Sequence, residues 1–191
     1  LNFTRELVIN LLFLVLLVLR KPMSLVAVRQ VVLLGVLQTG AFTALIQWAL
    51  VAGGAGKTAV LVYTMPFWVI PMAWWVLGER VRGLQWAAIA IAGSGLVLIL
   101  QPWSMGGSAF SNLLAVAGGV TWAASAVLAK RMRRDHDFDL LALTAWQMLF
   151  GAIALSVLAV LYPSRPIDPT PYFYGALFFN AVFATGLAWL L

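Results

Sequence analysis

The chain predicts an all-α, polytopic membrane helix bundle, and three observations predict it. Apolar residues make up 63% of the 191 residues, charged residues only 9%, and mean hydropathy is +0.99. Soluble domains hold about 45–50% apolar and about 25% charged residues. Uncharged runs recur at the roughly 20 residues a helix needs to cross a bilayer. The clearest is Thr58–Leu77, TAVLVYTMPFWVIPMAWWVL, which stops abruptly at Gly78-Glu79-Arg80. Finally, the basic residues alternate from one loop to the next in the pattern of a multi-pass protein.

Seven apolar segments follow in order. The first is Leu1–Leu19, clean from Leu7 onward. The second is Gln30–Ala52 and the third Thr58–Leu77. The fourth is Leu84–Leu100, the fifth Leu113–Ala129, the sixth Leu140–Tyr162 and the seventh Tyr172–Leu191. Turn formers punctuate them: Lys21-Pro22, Gly53-Gly54, Pro102, Gly106-Gly107 and Pro163 through Pro171. Loops this short make consecutive helices antiparallel neighbours. Pro66 and Pro71 interrupt the third segment, each removing a helix hydrogen bond and favouring a kink. Lipid cannot satisfy the freed carbonyls, so such a helix is expected to face other helices or a wet cavity.

Charge sets the orientation. Arg20, Lys21, Arg29, Arg80, Arg82, Lys130, Arg131, Arg133 and Arg134 follow the odd segments, and only Arg5, Lys57 and Arg165 remain of the 12 basic residues. The positive-inside rule places the exits of the odd segments in the cytoplasm. The net charge of +6 is thereby explained without nucleic acid, whose binders gather basic residues on one soluble face. With no cysteine, disulfide scaffolds and thiolate metal sites are excluded. No basic leader precedes the first segment and the chain does not begin with Met, so it reads as a piece of a longer protein.

A faint internal repeat pairs Gly35 and Leu37 with Gly175 and Leu177, and Thr4 with Thr144, at one offset. Phe42 and Trp48 match Phe183 and Trp189 after a one-residue slip. The unit spans five helices, an odd number, so two copies would be inverted, a recurring transporter architecture with substrate near the midplane.

These stretches resemble the EamA-type branch of the drug/metabolite transporter superfamily. Gly35-Val36-Leu37-Gln38 with Ala49-Leu50 is similar to the family's third helix. Ala59 through Pro66, closing at Leu77-Gly78-Glu79-Arg80, is similar to its fourth. Gly93-Ser94-Gly95-Leu96 resembles the fifth, and Trp122-Ala123 with Lys130-Arg131 the opening of the second repeat. The resemblance implies ten helices in two inverted five-helix repeats with cytoplasmic termini, about seven being visible. One helix would precede Leu1, and two would follow Leu191 within roughly 50 residues by the repeat offset. Residues 1–101 then form a first repeat lacking its first helix. Residues 102–112 form an extracytoplasmic linker, and residues 113–191 an incomplete second repeat. The implied function is transport of a small metabolite, amino-acid-like or an amine, across the cytoplasmic (plasma) membrane. Export by alternating access is expected. No enzymatic activity and no cofactor are expected. The bilayer is the expected surrounding, and a proton or counter-substrate and a second copy as a homodimer are partners this reading admits.

Candidate substrate contacts are uncharged. Gly35, Thr39, Thr43 and Gln47 recur every four residues, on one face of a regular helix. A substrate-facing stripe and helix-to-helix packing both account for them. Trp48, Tyr63, Pro66, Trp122 and Gln147 complete the set, and Thr64, Ser125, Trp146 and Asn180 are further candidates. Aromatic rings favour cations, although Trp74, Trp75, Trp86 and Trp103 fit interfacial anchoring better. Glu79 is expected in a structural ion pair with nearby basic residues rather than as a proton carrier. Arg5 fits either a recruiter of anions or a snorkelling side chain.

Other chemistry is poorly supported. Gly56-Lys57-Thr58 lacks the first glycine of a phosphate loop, where Val51 stands, and lacks a preceding strand. Asp135, His136, Asp137 and Asp139 admit a metal reading, but a solvated loop balancing the preceding basic run is the default. A membrane enzyme built on that loop and a non-transporting assembly protein are the alternatives.

Overall fold

The computed structural model describes residues 28–100, 108–135, 139–162 and 170–179. The first segment, with Arg5 and Glu6, lies outside them. So do Trp103, His136, Asp137, Asn180 and the repeat matches at Phe183 and Trp189. All regular structure among the described residues is helical: α1 (Val28–Gly35), a π-helical turn (Val36–Ala41), α2 (Phe42–Gly53), α3 (Ala55–Val62), α4 (Met65–Leu77), α5 (Leu84–Leu100), α6 (Ala109–Asp135), α7 (Leu140–Leu161) and α8 (Pro171–Phe179). Four spans, Val28–Gly53, Ala55–Leu77, Ala109–Asp135 and Ala142–Leu161, are long and apolar enough to cross a membrane. Only 11–39% of their most apolar windows is buried inside the protein. Water would reject the remaining apolar surface, whereas lipid accepts it.

The chain divides into two compact units. One holds residues up to Gly40 and from Phe138 onward; the other holds Ala41–Asp137. In the first, α1 and the π turn pack along α7. Gly35 meets the Gln147 carbonyl and Phe150, Thr39 meets Gly151, and Gly40 meets Ala154. Both numbers rise together, so the two helices run parallel. The charge alternation requires this of two even-numbered segments. A Cβ on Gly151 would overlap Thr39 and come within 2.8 Å of the Gly35 carbonyl oxygen. The helix backbones approach this closely because these positions carry no side chain.

In the second unit α6 is the centre. It runs antiparallel to α2, with the Ser111 hydroxyl donating to the Ala49 carbonyl at 2.9 Å and Gly118 against Ile46. It runs parallel to α4, with Gly119 beside Thr64 and Lys130 paired to Glu79 at 2.7 Å. Ala49, Leu61, Leu114 and Ala115 are buried together between α2, α3 and α6. Gly54, at φ +86°, makes the single-residue turn from α2 into α3. Thr58 seals that turn by donating its hydroxyl to the Gly54 carbonyl at 2.8 Å. Gly56-Lys57-Thr58 is thus the first turn of a helix that follows a helix, not a phosphate loop.

Two expected boundaries shift. The fifth segment continues as helix through Lys130–Arg134 to Asp135, where a loop was expected. Arg131 and Asp135, one turn apart, approach to 3.7 Å on that extension. The third segment begins at Ala55 rather than Thr58 and breaks at Tyr63-Thr64. Pro66 occupies the first turn of α4, where a missing N–H is tolerated, and Pro71 sits inside α4 without ending it.

The glycine contacts carry a stability prediction. Gly35→Ala and Gly151→Ala should each lower stability by about 1–3 kcal/mol, the usual range for overpacking. Gly56→Ala, with nothing near its added methyl among the described residues, should not. Thermal melts of the purified variants in one detergent check this; equal melting temperatures for all three would remove the close-approach account.

Candidate functional site

The first unit buries polar groups inside an apolar helix pair. Thr39 and Gln147 are buried, at 9% and 4% exposure. They lie on the two packed helices, with Gly151 against Thr39 one turn beyond Gln147. Trp146 stacks on Phe150 with ring centroids 6.0 Å apart. Its indole N–H is buried and has no hydrogen-bond partner among the described residues, and the same holds for Gln30 Oε1 on α1. An unpaired buried donor or acceptor is costly in a medium that offers no water. Such atoms call for an explanation, and a ligand is one. The unit thus holds a spare donor on α7 and a spare acceptor on α1.

The π turn redistributes the Gly35–Thr39–Thr43–Gln47 stripe. Four residues of α-helix overshoot one turn by about 40°, whereas a wider π turn holds more residues and falls short. Thr39 is consequently buried, while Thr43 and Gln47 are half-buried in the second unit. The regular stripe expected from spacing is not formed. Trp48 is exposed and Trp122 half-buried, both in the second unit.

Tyr63 and Pro66 come together elsewhere in the second unit. They line an open hollow of about 490 Å³ with Phe67 and Ile70 and, from α5, Ala88 and Leu96. Pro66 cannot donate to the Val62 carbonyl, and the chain tightens instead: Thr64 N–H donates to the Leu61 carbonyl at 3.2 Å and Phe67 N–H to that of Thr64 at 3.0 Å. The Thr64 hydroxyl also donates to the Leu61 carbonyl at 2.7 Å, and Trp68 Nε1 donates to that hydroxyl at 3.2 Å. At the break the Leu61 carbonyl thus takes two donors, both from Thr64. The hollow's wall is nearly all apolar, with the Tyr63 hydroxyl as its polar exception.

The Leu77-Gly78-Glu79-Arg80 motif is a helix terminus. Gly78 takes φ +69°, a conformation glycine adopts without steric cost. Its N–H donates to the Trp74 carbonyl at 3.1 Å and that of Glu79 to Ala73 at 3.4 Å. Glu79 pairs with Lys130 on α6, not with its neighbours Arg80 or Arg82 as expected. Arg134 adds a 3.4 Å bond to the Leu77 carbonyl. Glu79 is a tether between helix ends.

The two described acidic residues of the acidic loop are likewise engaged in structure. Asp135 faces Arg131, and Asp139 caps α7 by accepting from the Ala142 N–H at 3.4 Å. No group of three or more potential metal ligands occurs among the described residues. Spacing alone gave no hint of Gln30 or of the Ser111 bond to Ala49. A glutamine just inside an apolar run was the available signal for the first.

The EamA-like transporter family model matches residues 1–101 and 109–191. The chain is 24% identical over 186 residues to the uncharacterized transporter YoaV of Bacillus subtilis, covering 94% of this chain and 63% of that protein. It is 37% identical over 103 residues to a riboflavin transporter of Rhizobium johnstonii, covering 52% of this chain and 34% of that protein. An uncharacterized transporter of Clostridium kluyveri is 28% identical over 141 residues, 71% of this chain and 44% of that protein. The chain thus spans less than two thirds of each relative's length. No solved structure matches.

A double-mutant cycle tests the tether. Glu79→Gln and Lys130→Gln should show a coupling of about 0.2–1 kcal/mol, as expected of a half-exposed pair. Chemical denaturation of the four proteins measures it; purely additive effects would show that the contact contributes nothing.

Proposed function

Because this chain belongs to the EamA-like transporter family, we propose that it moves a small metabolite across the cytoplasmic membrane as a multi-pass protein. The observation that carries the reading is the set of buried polar groups along the packed helices of the first unit. Trp146 Nε1, a donor, and Gln30 Oε1, an acceptor, are buried with no hydrogen-bond partner among the described residues, and Thr39 and Gln147 are buried on the same helix pair. A small polar solute, amino-acid-like or an amine, offers both complements. Export by alternating access of two inverted repeats fits the parallel pairing of α1 with α7, a proton or counter-substrate supplying the drive. Pairing of two copies as a homodimer is compatible with it. The helix break at Pro66 and the π turn are where bending costs least, since regular hydrogen bonding is already interrupted there.

A second substrate class has its own observation. The hollow along Tyr63, Pro66 and Phe67 is aromatic and apolar. One relative is named a riboflavin transporter, and a flat heteroaromatic ring stacks well on such a wall. The enzyme alternative loses ground, because Asp135 and Asp139 are engaged in helix structure and the relatives are named as transporters.

The test is flux in proteoliposomes, with amino acids, amines and riboflavin as solutes, with and without an imposed proton gradient. A gradient-sensitive flux of one class is expected; no flux of any class from folded protein counts against transport. The variants separate the two classes. Gln147→Ala or Thr39→Val should raise KM about two- to tenfold for a polar solute, the range of one lost hydrogen bond. Tyr63→Ala should do so for a flat aromatic one. A KM unmoved by any of the three would place the substrate elsewhere.

A further inference from the structure

A second hollow lies at the opposite end of α4 from the Pro66 break. It measures about 550 Å³ and is lined by Ile70, Pro71, Trp74, Arg80, Val81 and Trp86. Its chemistry is divided. Ile70, Pro71 and Val81 are apolar; Trp74 and Trp86 are 59% and 60% exposed. Arg80 is the one charged group in the wall. Its guanidinium has no ion-pair partner among the described residues, because the adjacent carboxylate of Glu79 is taken by Lys130 across on α6. Neither indole N–H of Trp74 and Trp86 has a hydrogen-bond partner among the described residues.

The geometry points to a binding site for one anionic phospholipid at this end of the protein. The charge rule puts Arg80 on the cytoplasmic side, where the leaflet is rich in anionic lipid. The hollow sits where a membrane-length helix ends at its Gly78 cap, the depth at which a headgroup meets its acyl chains. Arg80 offers a planar fork of N–H donors to a phosphate. The indoles place an apolar body against lipid with a polar N–H at headgroup level. The apolar wall from Ile70 and Pro71 takes the first part of a chain. A free phosphate would use Arg80 and leave the apolar wall unexplained. The site is independent of whatever solute is carried.

The test is lipid retention by the purified, delipidated protein, read by native mass spectrometry. It is offered equal amounts of phosphatidylglycerol and phosphatidylcholine. Preferential retention of one phosphatidylglycerol is expected, and equal retention of both overturns the proposal. Arg80→Gln should weaken phosphatidylglycerol binding about fivefold, the effect of one basic residue near an anionic surface. Arg133→Gln, on the same side but not in the wall of the hollow, should not; an equal loss in both variants would mean diffuse attraction and overturn the site. Soluble glycerol phosphate should fail to displace the lipid, and full displacement would identify a phosphate site instead. A readout on unaltered Arg80 guards against misfolding. Brominated phosphatidylglycerol should quench tryptophan fluorescence more than brominated phosphatidylcholine, and the excess should vanish in Trp74→Phe/Trp86→Phe. An excess that survives that replacement sinks the assignment.

Discussion

Lipid is as apolar as leucine, so burying leucine between two helices within a bilayer gains little. What remains is close contact, and the fold depends on it. Gly35 and Gly151 bring α1 and α7 backbone to backbone, with Thr39 filling the space between them. On α6, Gly118 makes room for the Ile46 side chain of α2, and Gly119 lies against the backbone at the α3–α4 junction. Where the helices meet this closely, dispersion acts over many atoms at once. Polar pins are added sparingly, as by the Ser111 hydroxyl on the Ala49 carbonyl. The large side chains are released outward. Trp75, Leu84 and Val160 are 80% or more exposed, an arrangement that only an apolar surrounding tolerates.

The same economy shapes α3 and α4. A proline in a membrane span strips a carbonyl of its donor where water cannot replace it. Next to the carbonyl that Pro66 frees, Thr64 both donates to the Leu61 carbonyl and accepts from Trp68. At the far end Gly78 closes the helix and sends Glu79 to Lys130. The break, the aromatic hollow and the tether thus come from one stretch of some two dozen residues. The break is fixed by a local chemical need, whereas the hollow needs α5 as its other wall and the tether needs Lys130 on α6.

The spans were legible because their signal is length and hydropathy. Leu84–Leu100 and the start at Leu140 agree to the residue. Relative directions followed from charge, since lysine and arginine report the side and helix pairs must obey it. The extension of α6 through Lys130–Asp135 was hidden, because a basic run reads as loop until one sees Lys130 meet Glu79. The site was less legible. Gln147 and Thr39 stood out as polar residues in apolar runs and are buried. Thr43 and Gln47 looked equivalent to Thr39, yet wheel arithmetic presumes one helical pitch throughout. The pairing of Glu79 across to another helix, rather than to adjacent arginines, depends on tertiary distance, which spacing does not encode.

The π turn at Val36–Ala41 acts on everything after it. One surplus residue within a continuous helix turns all later side chains by about 100° relative to the ideal wheel. The two ends of the span therefore answer to different phases, α1 to its contact with α7 and α2 to its contact with α6. A single-residue deletion there would preserve the span, its composition and its charge. It would nevertheless turn the side chains of α2 by about 100° relative to those of α1 along the same span. In a set of related sequences, a one-residue gap confined to this turn would thus mark a change of helical phase, which a count of identities would not register.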